Sequence, residues 1–271
     1  KGQVDSWLDA LDDRTGRIHC RVHTMGTVTH RMSSSKPNLQ QVTASGKEYG
    51  PEMRALFTVP EDKVLVGADL SGLELRCLAH YMKSDNYTKE LLTGDIHTVN
   101  QKLAGLKTRD KAKTFIYAFL YGAGDAKIGS IVGQDSSVGK IIKERFLENT
   151  PSLATLKQQV GKASDKGYLK ALDGRHVRVR SEHASLNFLL QSAGAIIAKR
   201  AWVIFHELAT HLDYKQLGVI HDEIQIECSP DDAEEIGKLT VKAMKLTTDY
   251  YKLRCPMTGE YKIGRSWNET H

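Results

Sequence analysis

The sequence contains no apolar run approaching the roughly 18 residues a membrane span needs, and no signal peptide opens it, so neither membrane insertion nor secretion is expected. Its four cysteines, Cys20, Cys77, Cys228 and Cys255, show no CxxC or Cys/His ligand spacing. A zinc site or disulfide framework is therefore not supported, and reduced thiols in a cytoplasmic setting are the natural expectation. Repeats and low-complexity tracts are also missing. The net charge of +5 is too small to argue nucleic-acid binding by itself.

What is present is a globular composition, 40% hydrophobic and 26% charged over 271 residues, enough for one large domain or two smaller ones. Charge is unevenly placed. Nine Lys/Arg stand against four Asp/Glu from Lys102 to Arg145, and eight Asp/Glu against three Lys from Asp222 to Asp249. One region suits an anion, and another concentrates carboxylates.

The first sixty residues are rich in Gly, Ser, Thr and Pro and predict loops and short strands. KVLVGAD (63–69) predicts a buried strand ending in an acid, and Ser71-Gly72 leads into a helix through LELRCLAHYM. Residues 83–168 predict helices punctuated by glycine. YLKALDGRHVRVRS (168–181) predicts a hairpin about Asp173-Gly174. A long helix is expected from Ser185 to His211, then a hairpin in GVIHDEIQIEC with His221-Asp222-Glu223 at its apex, then a helix from Asp231 to Tyr251. Strands early and late around a helical block suggest an α+β domain interrupted by a helical insertion.

Two features carry chemistry. In TRDKAKTFIYAFLYGAG, the residues Arg109, Lys113, Tyr117 and Tyr121 recur every fourth position and share a helical stripe. Two cations followed by two flat rings match a nucleoside triphosphate, polyanionic at one end and aromatic at the other. After a Thr108 N-cap, Arg109 and Lys113 would hold phosphates near the helix N-terminus, and Lys113 would protonate the leaving pyrophosphate. Tyr117 would stack on base or sugar. Phe115, Ile116, Phe119 and Leu120 would pack on the opposite face. The second feature is Asp69 and Asp222, 153 positions apart, each delivered by an apolar strand. A lone Asp at a strand end is commonly a turn former, but an unpartnered charge at the end of a buried strand is costly. Paired carboxylates there suit Mg²⁺, and two ions about 3.5–4 Å apart stabilise the attacking and leaving oxygens of an in-line phosphoryl displacement.

DLSGLELR (69–76), R-x3-K-x3-Y-x3-YG (109–122) and HDE (221–223) resemble motifs A, B and C of the family A DNA polymerases. SGLELRCLAHYM, GDIHT, FLYGAGD, KIGSIVG, FLENTP, LDGR, LQSAGA and HDEIQ resemble the replicative branch of T-odd phages, and the likeness runs from about Gly16 to the C-terminus. The resemblance implies a right-hand architecture. The palm, an antiparallel sheet with helices, would comprise 1–82 and 169–271, and all-helical fingers 83–168, with no room for a thumb or exonuclease domain. It implies a DNA-directed DNA polymerase using two Mg²⁺ ions, primer–template DNA and dNTPs, in the host cytoplasm if phage-encoded. No site for a processivity factor is visible.

By motif position, Asp69, Asp222 and the Leu70 carbonyl resemble the metal ligands, and Glu223 an accessory acid. His97, Arg109 and Lys113 would contact the triphosphate, beside Ser71 and Gly72 of motif A. Tyr117 would stack on the incoming nucleotide and Tyr121 pack by the templating base. Glu74 with Tyr117 would block a ribose 2′-OH. Arg31, Asn187 and Gln191 would meet minor-groove acceptors present in every correct pair. His221 would lie against the primer terminus and Arg175 near the DNA backbone. Two alternatives stand beside the polymerase: a single-subunit RNA polymerase relative, against which Glu74 and HDE argue, and a DNA-binding fragment with weak catalysis.

Overall fold

The computed structural model describes residues 2–179 and 181–271. The chain divides into two compact units, one made of the residues up to Leu73 with Gly194–His271, the other Glu74–Ala193. The breaks fall at 73/74 and 193/194, against the expected 82/83 and 168/169.

In the first unit, α1 (Gly2–Leu8) precedes four strands of two or three residues, β1 (Leu11–Asp12), β2 (Arg17–Ile18), β3 (Arg21–His23) and β4 (Ser33–Ser35), paired as two small hairpins. Helix α2 (Gly50–Ala55) follows, with Pro at its N-terminus. Neither helix was expected. Each is under eight residues, too short for a 3.6-residue period to show. Strand β5 (Val64–Leu70) then forms as KVLVGAD predicts, and α3 (Leu73–Met82) leaves it through a Ser71-Gly72 turn in which Gly72 has φ +60°. Any side chain there would be strained, which is the reason for glycine.

The second unit continues with α4 (Asp85–Thr93), α5 (Ile96–Ala104), α6 (Arg109–Leu120), α7 (Asp125–Val132), α8 (Ser136–Glu148) and α9 (Pro151–Ser164). Ser84, Asp95, Thr108 and Asp135 cap four of these helices with side-chain oxygens. Phe115, Phe119 and Phe146 pin α6 to α8, with edge-on contacts of Phe146 to the other two rings at 5.1 and 5.4 Å. The hairpin β6 (Tyr168–Lys170) and β7 (His176–Arg178) turns through Gly174 at φ +90°. Arg180, at the end of its expected second strand, lies outside the described residues.

Helix α10 (Ser185–Leu208) ends three residues before His211. By length and composition it is apolar enough to cross a membrane, with an 18-residue window of mean hydropathy 1.3, but 67% of that window is buried inside the protein. That burial is what a core helix requires.

Strands β8 (Tyr214–Ile220) and β9 (Glu223–Cys228), helix α11 (Ala233–Tyr250) and strand β10 (Gly259–Gly264) complete the first unit. Its central sheet is fully antiparallel in the order β10-β5-β9-β8. The edge strand β10, of sequence GEYKIG, was not expected: its alternation is only four residues long and is closed by glycine at both ends. Ile224 and Ile226 fill one face of β9, and α11 packs on β5 and β10 through Ile236, Ala243 and Met244. Glu223, Gln225 and Glu227 point to the other face, and all three are buried. The chain's two ends cover that face, where Trp7, Val42, Val59, Leu65 and Trp267 form one cluster. Gly67 admits the C-terminal tail: a Cβ there would lie 2.4 Å from the Thr270 carbonyl oxygen.

Candidate active site

In the first unit, the apolar pattern of VLVGADL drives β5 into the middle of the sheet and carries Asp69 to its C-terminal end. Cross-strand register places Asp69 opposite Glu223, and Ile220 opposite Glu223 on the far side. The connection between β8 and β9 is therefore the two residues His221 and Asp222. Two-residue hairpin loops of the kind that match sheet twist need positive φ at the first position, and His221 supplies it at φ +58°. Histidine is among the non-glycine residues that tolerate this region best. The Leu70 amide donates to the Asp222 carbonyl at 3.2 Å, clamping the end of β5 to the turn. Asp69, Leu70 and Asp222 are thus brought together from distant parts of the chain. Both Asp residues are half-buried and His221 is exposed.

Among the described residues no group of three or more His, Cys, Asp or Glu side chains is placed to hold a metal ion. The donors at the clamped strand ends are two carboxylates and a backbone carbonyl, all hard oxygens. That set fits Mg²⁺, which takes one or two carboxylates and keeps other positions for water and phosphate.

Glu223 does something the sequence did not announce. Its Oε1 accepts from Trp267 Nε1 at 2.6 Å and from the Gln225 amide, and its Oε2 bonds His271 Nδ1 at 2.8 Å. Gln225 in turn accepts from Thr270 Oγ1 at 2.9 Å. Trp267 is held edge-on to Phe57, with the Arg54 guanidinium 4.5 Å from its ring centre. Burial pulls the Arg54 pKa down, and Glu223 opposes that pull. Four residues further along the same strand, Glu227 accepts from Arg17 at 2.8 Å and Lys215 at 3.1 Å. Burial alone would raise its pKa, but the two cations outweigh it and the carboxyl ends below its ordinary value. The tail residues 266–271 thus anchor the strand that bears the HDE acid. The signal that could have found this is the polar alternation E-Q-E within an otherwise apolar strand.

In the second unit, α6 presents the predicted stripe. Phe115, Ile116, Phe119 and Leu120 are buried, while Arg109 and Lys113 are exposed and Tyr117 is half-buried. Thr108 caps the helix by accepting from the Lys111 amide. Arg109 is aimed by Asp95, whose Oδ2 accepts from its Nε at 2.6 Å. The same carboxylate caps α5, accepting from the His97 and Thr98 amides. Its bonds to Arg109 and Thr98 hold its pKa well below the carboxylate range. The GDIHT motif points to His97, while the link that Asp95 makes between the two helices shows only in the structure. The His97 ring lies 6.3 Å from Tyr117. Burial, then Arg109 and Lys113, push the His97 pKa down, which favours the neutral imidazole.

Tyr121 ends α6 and its hydroxyl reaches Glu74 Oε1 at 3.4 Å, so these two residues meet. Asn187 and Gln191 sit one turn apart on α10, both half-buried. Arg175 closes the β6–β7 turn against Asp173, with Nε to Oδ2 at 2.7 Å. Arg31 follows His30 in the first unit, and the His30 carbonyl accepts from Lys199 Nζ at 2.6 Å. The predicted residues therefore gather as a carboxylate turn in one unit and a cation–ring stripe in the other.

The profile of DNA polymerase family A matches residues 1–269. The chain is 42% identical to a DNA-directed DNA polymerase of Enterobacteria phage T3 and 41% to that of Escherichia phage T7, covering 98% of this chain and 43% of each relative. A thermostable DNA polymerase I of Thermus filiformis is 31% identical over 97% of the chain and 34% of its own length. Among solved structures, the POL domain of Pol1 from M. smegmatis, in complex with DNA primer–template and dNTP, superimposes with a TM-score of 0.89 at 25% identity. It is matched over 100% of this chain and 51% of that one. The chain thus spans less than half the length of its phage relatives.

Proposed function

This chain belongs to DNA polymerase family A, and we propose on that footing that it is a template-directed DNA polymerase core, adding dNTPs to a primer 3′-OH with release of pyrophosphate. The observation that carries the reading is the clamp at the end of β5. The Asp69↔Glu223 register and the Leu70–Asp222 hydrogen bond at 3.2 Å put two carboxylates from opposite ends of the sequence on adjoining strand ends. Primer–template and dNTP as ligands are supported by the mycobacterial neighbour.

Residues 1–82 and 169–271 are assigned to the palm and 83–168 to the fingers. Asp69, Asp222 and the Leu70 carbonyl would hold two Mg²⁺ ions. When bound, these supply Lewis-acid activation of the primer hydroxyl and neutralise charge on the phosphates. The protein's own residues do the rest. Arg109, fixed by Asp95, and Lys113 bind the triphosphate, and Lys113 passes a proton to the departing pyrophosphate. His97, neutral, offers a hydrogen bond rather than a charge. Ser71 and Gly72 line the approach at motif A, where Gly72 leaves open space. Tyr117 stacks on the nucleotide, Tyr121 packs beside the templating base, and Glu74 with Tyr117 excludes a 2′-hydroxyl. Arg31, Asn187 and Gln191 donate to minor-groove acceptors, His221 supports the primer end, and Arg175 meets a phosphate. Glu223 acts as the accessory acid that keeps the Asp222 turn in place through its bonds to the tail. The place of action is the cytoplasm holding the template.

The test is extension of a labelled primer–template with Mg²⁺ and either dNTPs or rNTPs, at low salt with enzyme in excess. Extension with dNTPs alone, abolished in Asp222→Ala, is the expected result. DNA binding without extension would identify a DNA-binding fragment, and equal use of rNTPs would remove the role given to Glu74 and Tyr117.

A further inference from the structure

Helices α7 and α8 are pressed together where Gly139 faces the first residue of α7: a Cβ on Gly139 would run into the Asp125 carbonyl oxygen. Lys143 stands four residues further on, along the same face of α8. The close approach at Gly139 carries its side chain over the turn between α6 and α7. Its Nζ donates to Asp125 Oδ1 at 2.7 Å and to the Ala123 carbonyl at 3.4 Å, and the side chain is only 22% exposed. That turn begins at Tyr121, the C-cap of α6. The Gly122 and Ala123 amides return to the Phe119 and Ala118 carbonyls at 3.0 and 2.9 Å, and Gly122 takes φ +78°. The backbone of residue 183 closes in on Gly122, where a Cβ would lie 2.8 Å from the His183 carbonyl oxygen.

A solvent-exposed lysine–carboxylate pair contributes little by itself. This pair is partly buried, and its lysine makes a second bond to the backbone of the turn. Lys143, and more weakly Lys140 and Lys157, hold the Asp125 carboxyl below its ordinary pKa. Asp125 lies in the first turn of α7, where the helix N-terminus already favours an acid. The contact peculiar to Lys143 is therefore the one to Ala123. We propose that Lys143 is a positioning residue for template selection: by holding the Ala123 carbonyl it fixes the α6–α7 turn, and with it the Tyr121 ring, whose hydroxyl meets Glu74 at 3.4 Å. This role rests on the polymerase reading, in which Tyr121 packs beside the templating base. Groups that shape a reaction site must be held to within about 0.5 Å. A turn released from α8 admits a mispaired template base, while Arg109, Lys113 and His97 keep their hold on the phosphates.

The test uses the 271-residue chain beside Lys143→Met, which keeps the stem and removes the donor, and Lys143→Arg, which keeps the charge. Insertion opposite a single template base gives kcat and KM for the correct and for a mismatched dNTP. Hydrogen exchange followed by NMR gives the protection of the Gly122 and Ala123 amides. In Lys143→Met the ratio of correct to mismatched kcat/KM should fall about threefold or more, with KM for the correct dNTP unchanged, and both amides should exchange faster. Lys143→Arg should restore both. The proposal is overturned if the ratio is unchanged, if KM for the correct dNTP rises at constant ratio, if the two amides exchange as in the parent, or if Lys143→Arg restores neither. A parent chain that extends no primer would instead remove the polymerase reading and the template role with it, and the amide exchange would still decide whether Lys143 tethers the turn.

Discussion

Replacing Trp267 by Phe isolates the bond that ties the C-terminal tail to the strand bearing the HDE acid. Trp267 is 4% exposed, sits in the cluster with Trp7, Val42, Val59 and Leu65, and donates to Glu223 Oε1 at 2.6 Å. Phenylalanine keeps a ring between Phe57 and Arg54 but removes the indole N–H, leaving Gln225 and His271 as the partners of Glu223. A hydrogen bond to a charged acceptor contributes about 1.5–3 kcal/mol. The missing part of the indole leaves a small void, which adds about 0.5–1.5 kcal/mol by comparison with single-methylene deletions in cores. The expected loss is therefore about 2–4.5 kcal/mol, a large share of the roughly 5–15 kcal/mol that holds a typical domain. Trp267→Ala should cost more, about 4.5–8 kcal/mol, adding the same bond to the roughly 3–5 kcal/mol of a buried aromatic truncation. Because the chain has two units, a single unfolding midpoint averages over both. Native-state hydrogen exchange of the β5 and β9 amides reports the local free energy directly. A Phe variant whose β9 amides exchange within about 1 kcal/mol of the parent would refute the idea that this bond holds the strand.

Two further outcomes follow from the charges. The Glu227 carboxyl is held below its ordinary pKa by Arg17 and Lys215, so its contribution is present above the unfolded value near 4.5 and is lost as pH falls through the folded value. Urea midpoints measured from pH 7 down to pH 3 should therefore fall less steeply in Glu227→Gln than in the parent, and parallel curves would count against the pairing. His97, depressed by burial and by Arg109 and Lys113, should titrate by NMR below 6.5. Lys113→Ala should move that titration upward, and an unchanged value would mean that Lys113 does not reach the ring.

How much of this was readable beforehand depends on whether the cause was local. The α6 stripe was legible because helical periodicity and a Thr108 cap act within a few residues, and the buried set Phe115, Ile116, Phe119 and Leu120 came out as expected. The hairpin was legible because VIHDEIQI places His221, Asp222 and Glu223 between apolar strands, but the expected apex was one residue too long: the register draws Glu223 into β9 and leaves His221-Asp222 as the turn. Strand β10 was overlooked because its alternation, E-Y-K-I, lasts only four residues and is closed by glycine at both ends. Asp95 was overlooked because its role is shared between its own helix and a neighbour fourteen residues away.

By itself, then, the sequence determined the longer strands and helices other than β10, the stripe on α6 and the two acids that end apolar strands, since each follows from propensity and periodicity along the chain. Only the tertiary structure decided that Asp69 lies opposite Glu223, that Leu70 clamps Asp222, and that Trp267, Thr270 and His271 return to saturate the acid face of β9. These are pairings across roughly 40 to 150 residues of chain. They come from sheet register and from the cost of leaving a buried carboxylate without donors, neither of which is written in any short stretch of residues.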